Sequence, residues 1–149
     1  MHAEPKPVAV VIDIDGTVAN HRHREHLIAG ANPDWGAFFA SSGLDDPLPE
    51  GITLATEHAL ASTVIWLTGR PERYRQLTAE WLAANGLPTA NLNMRPDNDM
   101  RPAATFKADR LAQLSAMYDI ALIVDDDEQV VATLRQAGWS VHHAQWMPR

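Results

Sequence analysis

Val8-Ala9-Val10-Val11-Ile12-Asp13-Ile14-Asp15-Gly16-Thr17 decides the fold. Its first five residues are apolar, mostly β-branched and without alternation, and the run stops at a carboxylate. An unbroken run of this kind fits a strand buried on both faces, as in parallel sheets. Residues 62–67 and 120–124 share the form, and weaker strands are expected over 91–94 and 139–142. Helical patterns lie between them. Tyr74, Leu77, Trp81 and Leu82 recur on one face, with Pro71 in the first turn and Asn85-Gly86 as the stop. Lys107 is expected to open a helix whose apolar face carries Leu111, Leu114, Met117 and Tyr118. Val130, Val131 and Leu134 follow a run of acids, with Asp127 as the cap and Gly138 as the end. Residues 52–60 are expected to be helical too. Strands alternating with helices predict an α/β fold, a doubly wound parallel sheet covered on both faces. Right-handed crossovers then bring every strand's C-terminus to one rim, where such sheets bind ligands.

The 149 residues suit a single domain, expected over 8–149 after a short mobile lead-in at 1–7. A hydrophobic content of 46% argues against disorder. There is no cysteine, which excludes disulfides, a thiolate metal site and a cysteine nucleophile, and is compatible with a reducing cytoplasm, the expected location. Nineteen acids against twelve bases leave a net charge of −7, the wrong sign for holding nucleic acid by bulk charge. No apolar run approaches the ~20 residues of a membrane span, and residues 8–12 are too short for a signal-peptide core. Residues 18–50 break the strand–helix rhythm. This stretch is expected to form a small cap-like insertion at the rim, with a short helix around 34–41, and no large cap domain follows. Within it, Trp35, Phe38 and Phe39 read first as anchors to the core and second as a surface for stacking a base. His21, His23 and His26 read as a polar loop, His142 and His143 as solvent-facing, and Trp66 and Trp81 as core.

Each of the three best strands ends in polar residues: Asp13 to Thr17, then Thr68-Gly69-Arg70, then Asp125-Asp126-Asp127. Carboxylates gathered on one rim repel, so something positive must sit among them. With oxygen donors only, Mg²⁺ is the natural occupant.

These motifs resemble those of the haloacid dehalogenase-like (HAD) hydrolases, aspartate-nucleophile phosphotransferases. Asp13-x-Asp15-Gly16-Thr17 is similar to the first family motif, Thr68-Gly69-Arg70 to the second, Lys107 to the third and Asp125-Asp126 to the fourth. A narrower likeness runs through residues 67–72, 78–82, 94–95 and 124–131. It resembles the 3′-phosphatase domain of bacteriophage polynucleotide kinase and its stand-alone phage relatives. There the resemblance implies Asp13 as nucleophile, Asp15 as acid and base, Thr68 and Lys107 as further catalytic groups, and Arg24, Gly69 and Arg70 on the substrate. It also implies metal ligation by Asp13, the backbone carbonyl of Asp15, Asp125 and Asp126. One departure stands out: relatives carry an aspartate four residues before the lysine, and this chain has Ala103.

The expected activity is therefore Mg²⁺-dependent removal of a phosphate, through an aspartyl-phosphate, from the 3′ end of a nucleic acid or from a nucleotide. Arg22, Arg24, Arg70, Arg73 and Arg75 are the candidate grip on substrate phosphates. A general nucleotidase or small-molecule phosphatase is the nearest alternative. A non-catalytic receiver-like module is disfavoured, because such modules carry the acid pair early and a lone phosphorylated aspartate later. No GxxxxGK[ST] loop occurs, so no kinase activity of the P-loop kind is encoded in these residues, and a kinase or ligase partner chain stays open.

Overall fold

The computed structural model describes residues 4–148. The lead-in expected over 1–7 lies partly outside them. Residues 4–7 have no regular secondary structure, but the Pro7 carbonyl accepts the Asp119 N–H at 2.9 Å. In chain order the strands are β1 (Val8–Ile12), β2 (Ala19–Asn20), β3 (Asp46–Pro47), β4 (Thr63–Pro71), β5 (Leu92–Arg95), β6 (Asp119–Asp125) and β7 (Val141–His143). The α-helices are α1 (Trp35–Ala40), α2 (Pro49–Ala59), α3 (Arg75–Ala84), α4 (Ala103–Leu114) and α5 (Glu128–Gln136). Among the described residues no helix is long and apolar enough to cross a membrane.

The main sheet has the order β5-β4-β1-β6-β7, and every neighbouring pair in it is parallel. Alternation along β1 splits its side chains between two cores. Val10 and Ile12 pack in the core that holds Ala55 of α2 and Trp81 and Leu82 of α3. Ala9 and Val11 belong to the other, with Phe106, Leu111 and Leu114 of α4 and Val130 and Leu134 of α5. Both faces of β1 are therefore dry, which is why its sequence shows no polar alternation. The chain steps outward from β1 through β4 to β5, then returns across the sheet to β6. That reversal makes the β1–β6 boundary the switch point, and a crevice opens there beyond the strand C-termini.

Three local expectations are corrected. Lys107 lies one turn inside α4 rather than at its start, and α4 ends at Leu114. Met117 and Tyr118 donate their N–H groups back to the Leu114 carbonyl in a turn that redirects the chain into β6, which leaves Met117 exposed. Pro71 is not in a helical first turn. Its ψ of 148° is extended, and it closes β4 opposite Arg95, after a register irregularity that begins at Thr68. A 3-10 turn at Glu72–Tyr74 precedes α3. The short helix of the insertion is present as α1, with the Asp34 carboxylate accepting the Ala37 N–H at 3.0 Å.

The turn after β1 is held by packing that tolerates no side chain. A Cβ on Gly51, in the first turn of α2, would lie 1.9 Å from the Thr17 carbonyl oxygen. The Trp146 indole N–H donates to that same oxygen at 2.7 Å. Because the clashing atom is backbone, Gly51→Ala must push α2 off the turn. The expected cost is ~1–3 kcal/mol, read as a lowered midpoint in denaturant unfolding; an unchanged midpoint would contradict this docking.

Candidate active site

The register Ile12↔Val124 sets the ends of β1 and β6 level, and the Asp13 N–H donates to the Val124 carbonyl at 2.9 Å. Asp13 and Asp125 are thus forced together at the switch point. With Asp126 they offer one oxygen each, all within 4.8 Å of one another. Lys107 reaches in from α4, and its Nζ donates to Asp13 Oδ1 at 3.0 Å and to Asp125 Oδ2 at 2.6 Å. Burial, reinforced by the charge of Asp125, pushes the Asp13 carboxyl well above its usual range, with Lys107 opposing. Burial also raises Asp126. Burial alone would lower the Lys107 ammonium, but Asp125 and Asp13 outweigh it and raise it. A cluster that strains to hold its negative charge in this way is suited to a hard cation. Gly16 leaves room for the Asp126 carboxylate: its φ is +79°, and a Cβ there would sit 2.0 Å from Asp126 Oδ2.

Asp15 is held differently. Arg70 donates from Nε to Oδ2 at 3.1 Å and from Nη2 to Oδ1 at 2.8 Å, and Arg24 Nη2 donates to Oδ1 at 2.5 Å. Burial would raise this carboxyl, but Arg70 and then Arg24 carry it below its ordinary value. Both guanidiniums are wholly buried, so the structure spends Arg24 and Arg70 on Asp15 rather than presenting them to solvent. The five candidate arginines do not form one patch. Arg75 pairs with Glu72, and Arg73 stands exposed near Asp97.

Thr68 is buried at the end of the straight part of β4, and its Oγ1 accepts the Arg70 N–H at 3.1 Å. Gly69 lies on the wall of a recess of about 300 Å³ that also borders Asp13, Asp15, Lys107, Asp125 and Asp126. Ala103 is on the same wall, one helical turn before Lys107. An aspartate at that spacing would share the lysine's helix face; here Nζ has only Asp13 and Asp125 as side-chain hydrogen-bond partners among the described residues. Asp127 caps α5, accepting the N–H groups of Gln129 and Val130. His143 is half-buried rather than solvent-facing, with Nε2 3.0 Å from the Asp126 carbonyl.

Asp45 was not legible as a site residue. It is buried in the insertion and accepts from Arg24 Nε at 2.8 Å and Nη2 at 2.7 Å, with His23 Nε2 at 2.7 Å. Its backbone carbonyl accepts the Trp81 indole N–H at 2.8 Å. No local pattern marks it, because an acid in an irregular stretch reads as solvated until its distant partner is known. His21 and Arg95 also border the recess. Asp45→Ala would leave Arg24 buried with half its charge pairing gone. The expected loss is ~3–5 kcal/mol of stability, measured by urea unfolding; a loss under about 1 kcal/mol would mean that Asp15 alone satisfies Arg24.

The sequence pattern described as "Polynucleotide kinase PNKP phosphatase domain" matches residues 7–145. No curated protein matches the chain. Among solved structures, one described as the "Pnkp1/Rnl/Hen1 RNA repair complex" aligns with a TM-score of 0.78 at 24% identity, covering 100% of this chain and 47% of that one. The chain thus spans about half the length of the protein it matches there. A class C acid phosphatase from Bacillus anthracis, with tungstate bound, aligns at 0.71 and 18% identity over 96% of this chain and 68% of that one. A HAD family enzyme from Bacteroides thetaiotaomicron, complexed with magnesium and inorganic phosphate, aligns at 0.54 and 11% identity, covering 98% and 97%.

Proposed function

The chain belongs to the polynucleotide kinase PNKP phosphatase domain family of HAD hydrolases, and on that premise we propose that it is a Mg²⁺-dependent 3′-phosphatase of nucleic-acid ends or nucleotides, working through an aspartyl-phosphate. The observation that carries this reading is the meeting of Asp13, Asp125, Asp126 and Lys107 at an open rim. Asp13, Asp125 and Asp126 fit a divalent cation: three oxygens converge, and burial pushes the Asp13 and Asp126 carboxyls up. The Asp15 backbone carbonyl is assigned as a further ligand. When bound, Mg²⁺ supplies the charge that lets an anionic phosphate approach an anionic nucleophile.

Asp13 attacks phosphorus in line, and the ester P–O bond to the sugar oxygen breaks. Lys107 neutralises charge on Asp13 and the transferring group, while Thr68 and the N–H groups of the loop after Asp13 orient the phosphoryl oxygens. Asp15 gives a proton to the departing oxygen, then takes one from the water that hydrolyses the aspartyl-phosphate. To carry that first proton it must part from Arg70 and Arg24, since the double ion pair keeps it ionised. For Arg24 and Arg70 to act on substrate as well, that same parting must expose them, because neither guanidinium reaches the surface or borders the recess while paired. The match to a repair complex supports a nucleic-acid substrate and leaves a place for a kinase or ligase partner chain. The net charge of −7 favours a short contact with the end over a grip along a polymer.

In Mg²⁺, 3′-phosphorylated oligonucleotides are expected to release phosphate faster than their 5′ isomers and sugar phosphates, and Asp13→Asn to abolish release from all of them. Turnover by the Asn variant would remove the nucleophile assignment, and a preference for 5′ ends would favour a general nucleotidase. Chelation of divalent metal should stop the reaction, and added Mg²⁺ should restore it. Activity that persists in chelator would count against the carboxylate cluster as a metal centre.

A further inference from the structure

A second recess, of about 330 Å³, opens beside the acid cluster. Trp35, Phe39, Gly69 and Arg95 border both, so the two form one continuous hollow that meets at a residue with no side chain. The three aromatics of the insertion divide their work. Phe38 is buried against the Arg24 guanidinium, 4.2 Å from its ring centre, and anchors the segment. Trp35 is 52% exposed and lies nearly parallel to Phe39, with centroids 6.0 Å apart and planes at 26°. Phe39 in turn rests on Tyr74 at 5.7 Å. Pro71 and Met100 add to the apolar wall, and Met100 is also exposed.

The charge in this recess decides what it takes. Arg73 and Arg95 are balanced by Asp97 and Asp99, so it is neutral where the adjoining hollow is acidic and suited to a cation and a phosphate. Arg95 Nε is buried without a hydrogen-bond partner, so the site has a free donor at the junction. A flat, uncharged, hydrogen-bonding ring held a short distance from a phosphate matches all of this, whereas a second phosphate does not.

We propose that the Trp35–Phe39 platform seats the nucleobase of the nucleotide whose phosphate is removed, making the enzyme selective for base-bearing 3′-phosphates over bare sugar phosphates. This rests on the 3′-phosphatase reading. It explains how a protein of net negative charge can select a nucleic-acid end: stacking does not depend on bulk charge, and it tolerates any base because every base has a π-face.

The test compares kcat/KM for adenosine 3′-monophosphate with that for methyl ribofuranoside 3-phosphate, which has a methoxy group in place of the base. The base-bearing substrate is expected to lead by about ten-fold or more, chiefly through KM. Trp35→Ala should bring that ratio close to one, and Trp35→Phe, which keeps a ring, should retain most of it. A wild-type ratio near one, or a ratio untouched by Trp35→Ala, overturns the proposal. The 3′ reading fails separately, if only the 5′ isomers of the two compounds are hydrolysed. The same ratio measured on that 5′ pair then decides the base platform.

Discussion

Repulsion between carboxylates on adjacent strands is the constraint around which the rest of the molecule is arranged. Asp13 and Asp125 follow from neighbouring strands in level register, so the sheet cannot separate them. Like charges ~4 Å apart cost about 4 kcal/mol at an effective dielectric near 20. Lys107 relieves part of this, and it can do so because Phe106, Leu111 and Leu114 press α4 onto the face of β1 that holds Ala9 and Val11. When all three carboxylates are ionised, they and the one ammonium carry two net negative charges, the complement of a divalent ion. Apolar packing on one side of the sheet therefore sets the electrostatics at its edge.

A second ionic layer fastens the insertion to that edge. Asp15 from the β1 loop, Arg70 from β4, and Arg24 and Asp45 from the insertion form a chain of buried pairs. Buried pairs are a weak source of net stability but a strong source of geometry, since every partner must be present or a charge is stranded. Anchored there and by Phe38, the insertion presents Trp35 and Phe39 along the border of the site.

Much of this was legible beforehand. The unbroken β-branched runs identified the buried strands, and the polar residues that stop them identified the rim. Asp13 and Asp125 lie far apart in sequence, yet their placement after parallel strands sufficed to bring them to one rim, whereas Lys107 was legible only through the resemblance of the motifs. The misread boundaries share one cause. Pro71 has a φ that suits a helix as well as a strand, and only pairing with β5 settles which one it enters. Met117 and Tyr118 continue a helical spacing that the turn into β6 interrupts.

The layered α/β architecture and the acidic rim follow from the order of residues, because hydrophobic periodicity acts locally and parallel topology leaves one place for strand ends. Tertiary structure alone decided that Arg24 and Arg70 clasp Asp15, that Asp45 completes their pairing, and that Trp35 faces outward while Phe38 faces in. Those outcomes depend on which residues meet across tens of positions in an irregular segment, where no repeating pattern carries the information and burial is settled by the partner found.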